Sequence, residues 1–174
     1  MLAIDAWIVL LRVVHIVSGV IWVGSLFVVA VFVQPIAAAV GPPAGPFMAE
    51  LRRRRLVDVI LVDALITIAA GSLLYWHDWH LLPSFGDWIG SAFGATLTVG
   101  ALLAISVIPI AALVTRPTIA RLVALGRQAA ESGGPSPELA QQIAATQRRL
   151  AIAERSTLVL ALLAVAAMAS ARYV

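Results

Sequence analysis

The chain contains no cysteine and no lysine. Without cysteine there is no disulfide, no thiolate metal site and no thiol nucleophile. Without lysine, Schiff-base chemistry and the lysine-dependent phosphate loop are excluded as well. Charge of either sign is scarce, at 12% of residues against 61% hydrophobic. Soluble domains are closer to half apolar, and the mean hydropathy of +0.99 places this chain outside that class.

What is present is a series of long apolar runs. About 20 apolar residues cross the hydrocarbon core as a helix, and four stretches approach or exceed that length: residues 6–33, 56–76, 89–115 and 156–173. The first opens on "MLAID", without the basic start of a secretory leader, and continues past a leader's usual length, so it reads as a retained helix. The expected fold is therefore all-α, a four-transmembrane-helix bundle forming a single integral membrane domain over residues 1–174.

All the basic side chains other than histidine are arginine, and their distribution orients the bundle. Arg52, Arg53, Arg54 and Arg55 lie between the first two spans; Arg116, Arg121, Arg127, Arg148, Arg149 and Arg155 lie between the last two. The connection between spans two and three, "HDWHLLPSFGDWIGS", has no arginine. The positive-inside rule places both arginine-rich loops in the cytoplasm and both termini outside. Beside a membrane span the four-arginine run is a topology anchor, so no nucleic-acid partner is expected. In the second cytoplasmic loop, "GRQAAESGGPSPEL" breaks on glycine and proline. Ser136 then reads as an N-cap with Pro137 at the first helical position, starting a helical extension that runs into span four. Arg116-Pro117 is expected to end or kink span three.

This orientation gathers the histidines. His15 lies about 12 Å in from Trp7 at 1.5 Å per residue, on the outer side. His77 and His80, an i, i+3 pair in "HDWH", sit at the outer end of span two, and Met168 lies on span four at a depth close to that of His15. An ionisable group inside a membrane helix is a functional candidate by default, whereas histidines beside tryptophans at an interface are ordinary anchors. Arg12, one turn above His15, points outward to where haem propionates would lie, or else snorkels to the headgroups. A histidine with a second ligand on a facing helix makes a low-spin haem site. A copper or zinc ion on His15, His77 and His80 is the alternative, but a neighbouring arginine repels it. The lack of cysteine and scarcity of methionine also disfavour a Cu(I) path. Asp63, inside span two, is expected to form a structural ion pair with Arg155 or Arg116.

The stretch "LLRVVHIVSGVIWVGSLFV" resembles the first helix of a group of small four-helix bacterial membrane proteins. The group includes the membrane domain of the membrane-bound urate oxidase and the copper-resistance D domain. His15, Gly19, Trp22, Gly24 and Ser25 carry the pattern. "VTRPTIARL" is similar to the urate oxidase domain's exit from its third helix, and "AERSTLVLALLAVAAM" to its fourth helix. The Asn and Gln that flank the proline in that domain are missing here. The resemblance implies a multi-pass protein of the bacterial cytoplasmic membrane with a redox or metal-handling role. The resulting expectation is a haem b-binding electron-transfer or redox accessory protein, with His15 as axial ligand. The second ligand is open among His77, His80 and Met168, with His77 favoured by depth. Copper handling of the copper-resistance D type and a cofactor-free scaffold subunit are the alternatives. The expected partners are the lipid bilayer and a membrane redox partner or a second copy of the chain.

Overall fold

The computed structural model describes residues 6–174, which are helical throughout apart from short connections, with no strand among them. Four helical runs are long and apolar enough to cross a membrane: Ala6–Val40, Leu56–Trp79, Ala92–Glu131 and Pro137–Tyr173. The first comprises α1 (Ala6–Val28), a π-helical segment Val29–Val33 and α2 (Gln34–Val40). The short α3 (Gly45–Arg53) precedes α4 (Leu56–Trp79), which is the second run. After the short α5 (Phe85–Gly90), the third run comprises α6 (Ala92–Ile110), a second π segment Ala111–Thr115 and α7 (Arg116–Glu131). The fourth is dominated by α8 (Pro137–Ser170), about 51 Å long at 1.5 Å per residue.

The four-helix, all-α expectation holds, but the first and third spans do not end where the sequence suggests. Pro117 neither terminates nor breaks the third run. A proline inside a helix removes one N–H and pushes its ring against the carbonyl four residues back. Here the turn before it widens to π geometry, with the Arg116 N–H donating to the Ala111 carbonyl, and the helix continues. The same device precedes Pro35, where the Gln34 N–H donates to the Val29 carbonyl. A π turn takes up one extra residue, so both chains pass their prolines as continuous helices at the arginine-rich end. The start of α8 follows the sequence closely: the Leu139 N–H donates to Ser136 Oγ at 3.2 Å, with Pro137 at the first helical position.

The helices associate as two antiparallel pairs, α1 with α4 and α6 with α8, joined by slimmer contacts between α1 and α8 and between α4 and α6. The pairs meet at Trp22, Ala64, Ala104, Val107 and Ala164, with Leu103, Leu160 and Met168 packed around them. Small residues let backbones approach, which matters between helices in lipid because apolar side chains there gain nothing by leaving the solvent. Consistent with that solvent, large apolar residues such as Val20, Leu102 and Leu113 face outward. Beyond this core, the first half of α8 packs back along α7, with Leu125, Leu139 and Leu150 buried. This hairpin is the expected helical extension.

Candidate functional site

The inward stripe of α1 is Leu11, Ser18 and Trp22, all buried, with the half-buried His15 completing the 4-3-4 spacing. A stripe of this spacing faces a neighbouring helix, and the neighbour is α4. His15 Nδ1 lies 2.8 Å from the Thr67 carbonyl oxygen. A carbonyl can only accept, so Nδ1 carries a proton, and in the neutral ring the lone pair is then on Nε2. The Thr67 hydroxyl lies 2.8 Å from both Ser18 Oγ and the Asp63 carbonyl, and Ser18 in turn donates to the Val14 carbonyl at 2.7 Å. The ring rests on Gly71, where an added Cβ would stand 2.7 Å from Cε1 and 2.9 Å from Nδ1, but 3.6 Å from Nε2. Nε2 is among the three ring atoms nearest that point of α4, and it has no hydrogen-bond partner among the described residues.

The other two histidines do not join it. His77 lies six residues beyond Gly71 and is turned roughly 120° from it about the helix axis; His80 is turned roughly 180°. His77 Nδ1 is 3.1 Å from Asp78 Oδ1. His80 Nδ1 donates locally to the Trp76 carbonyl, 2.8 Å away, and its ring lies against those of Trp76 and Trp79 at 4.5 and 4.4 Å. Among the described residues no group of three or more histidine, aspartate and glutamate side chains converges as a metal site. "HDWH" belongs to an aromatic cap at this end of the bundle. Trp79 meets Phe85, and Trp88, 2% exposed, meets Tyr75 and Phe93 edge-on. Gly94 is required there, because a Cβ would collide with the Trp88 backbone.

Met168, in contrast, is on an inward face. It packs against the four-helix core and across Gly100 of α6, where a Cβ would come within 2.9 Å of Met168 Cγ. Arg12 is exposed and makes no ion pair among the described residues. Asp63 corrects the expectation placed on it: it pairs with neither Arg155 nor Arg116. The Arg116 guanidinium instead donates to Asp58 Oδ1 at 3.0 Å, nearer the helix end, where both side chains are half exposed. An ion pair costs less to hold in water than inside the bundle, which explains the choice of partner.

One polar cluster escapes the sequence reading. Gln34, at the exit of the first π segment, donates through Nε2 to Glu154 Oε1 on α8 at 3.1 Å. Glu154 Oε2 and, one turn further on, Thr157 Oγ1 are buried without a hydrogen-bond partner. The signal was a lone acid in "AIAERSTLVL" and a glutamine before proline in "FVQP". Nothing in the sequence alone puts the two together across 120 positions.

The donor set can be weighed against the cofactors that the sequence suggests. A three-histidine copper or zinc site does not fit, because the three side chains occupy different faces. His15 and Met168 are of the side-chain types that haem iron takes, but no contact among the described residues brings them together. Searches against protein-family models, characterised proteins and solved structures find no match to this chain. The fold therefore defines the class: an all-α, multi-pass membrane protein built on four helices capable of spanning the bilayer.

Proposed function

We propose that this chain is a haem b-binding integral membrane protein with an electron-transfer or redox accessory role, in which His15 supplies an axial nitrogen. The observation that carries the reading is the 2.8 Å hydrogen bond from His15 Nδ1 to the Thr67 carbonyl. It commits one ring nitrogen to the backbone and leaves Nε2 as a free lone pair, which is how ligating imidazoles are oriented and made more basic. Gly71 supplies the space that the Cε1 edge of the ring occupies against α4. Met168, packed inward from α8, is favoured over His77 as the second residue that would hold the haem; a thioether would raise its reduction potential relative to a second imidazole. Arg12, one turn from His15 toward the helix start, is the cation available to propionate carboxylates. Haem b bound there supplies a one-electron couple, and the surrounding aliphatic side chains exclude water.

The test is an absorption spectrum with metal analysis on protein purified from haem-replete cells. A Soret band lost in His15→Ala and changed in spin state by Met168→Leu is expected. Protein that stays colourless after haem addition overturns the proposal. A second reading, a cofactor-free subunit of a larger membrane complex, is favoured by Arg12 and Asp63, whose charges find no partner within the described chain. Colourless protein recovered in an assembly larger than the single chain would support it.

A further inference from the structure

Between α8 and the end of α6 runs an open groove of about 460 Å³. Ile110 and Val114, flanking the start of the second π segment, line one side; Arg148, Arg149 and Ile152 of α8 line the other. Its apolar part is directed outward, with Ile152 61% exposed and the adjacent Leu113 73% exposed. Its polar part is cationic. Arg148 and Arg149 are exposed and neither enters an ion pair among the described residues, although Arg53 and Arg54 pair with Glu50 and Arg116 with Asp58.

The depth of this groove is set by its neighbours. Gly100 of α6 packs against Ala164 and Met168 of α8. In an antiparallel pair that correspondence places Arg116 level with about residues 148–152 of α8. Arg116 is half exposed and pairs with Asp58 of α4, while Asp63, Glu154 and Arg155 lie nearer the middle of the bundle. Arg148 and Arg149 therefore sit level with that pair, about two turns before Arg155 and the apolar span that follows it. Ile110 and Ile152 lie about one turn further toward the hydrocarbon.

We infer that this groove is a binding site for an anionic phospholipid, its phosphate held by Arg148 and Arg149 and its acyl chain laid over Ile110, Val114 and Ile152. Guanidinium groups bind phosphate in a bidentate manner, and basic pockets between membrane helices on the cytoplasmic side select anionic headgroups. The π segment contributes by widening the helix where Val114 turns toward the groove. A zwitterionic lipid offers the same acyl chain, but its own cation weakens the pairing with two adjacent arginines. The site is independent of the haem reading, since it lies at the opposite end of the bundle from His15.

The experiment is native mass spectrometry of the full chain, titrated in detergent with dioleoylphosphatidylglycerol or dioleoylphosphatidylcholine. The expected result is selective retention of phosphatidylglycerol, weakened about 30-fold in Arg148→Gln/Arg149→Gln, at roughly a factor of five per arginine at the membrane surface. The charge-matched variant Arg121→Gln/Arg127→Gln, on α7 outside the groove, should bind as the unaltered protein does. Ile152→Trp keeps both arginines and fills the apolar floor, so it should also lose the lipid, and it keeps the test valid should the arginine variant not fold. Equal losses in the two double-arginine variants would show charge attraction without a site and overturn the inference. So would full retention in Ile152→Trp, or displacement of the lipid by millimolar inorganic phosphate, because each means that the groove does not hold the acyl chain.

Discussion

Replacing Gly71 by alanine probes the histidine site without touching the histidine. The new Cβ would stand 2.7 Å from His15 Cε1 and 2.9 Å from Nδ1, too close for the ring to stay. The ring must rotate or α1 and α4 must separate, and either movement breaks the bond to the Thr67 carbonyl. Overpacking of this kind costs about 1–3 kcal/mol, and an interhelical hydrogen bond in a membrane bundle about 0.6–2 kcal/mol. Against these, alanine is about 1 kcal/mol better than glycine in a helix. The net expectation is a loss of about 1–3 kcal/mol, read from reversible unfolding in mixed micelles by circular dichroism. The double-mutant cycle with His15→Ala isolates the cause. With the ring removed, Gly71→Ala should become neutral or stabilising by up to about 1 kcal/mol on helix propensity alone. A coupling energy of roughly 2 kcal/mol follows. If the two substitutions add to within about 0.5 kcal/mol, as independent sites do, the ring does not rest on Gly71 and the reasoning fails.

Asp63 lacks a counter-charge within the described chain, so Asp63→Asn should raise the unfolding midpoint in lipid-like micelles rather than lower it; a loss of more than about 1 kcal/mol would instead reveal a buried partner. Gln34→Leu removes the hydrogen bond that Glu154 accepts and should cost about 1–3 kcal/mol. The double variant Gln34→Leu/Glu154→Met, which removes both polar groups, should recover most of that loss in the same unfolding assay.

The number of spans, their all-helical nature and the start of α8 were legible in the sequence because each is a local property. Apolar runs report the solvent directly, and a Ser-Pro-Glu start satisfies its own N–H groups within one turn. The passage of the helices beyond Pro35 and Pro117 was not legible. A proline signals a break, and only the neighbouring helices, α8 above all, hold the chain in the wider π turn that avoids it. His15 could be picked out as an ionisable group inside a membrane helix. Its partner could not, because the Thr67 carbonyl belongs to a backbone that looks alike at every residue. Equal depth also suggested His77, and depth is only one of the two coordinates of a helix surface. Rotation about the axis, settled for α4 by Ser18, Gly19 and His15 packing on Thr67 and Gly71, turned His77 aside, and the packing of α8 on Gly100 turned Met168 inward. The same holds for charge. Composition determined that ion pairs would be few, while tertiary packing decided that Arg116 meets Asp58 and leaves Asp63 alone, since a pair at the helix end keeps the hydration that a pair inside the bundle would lose.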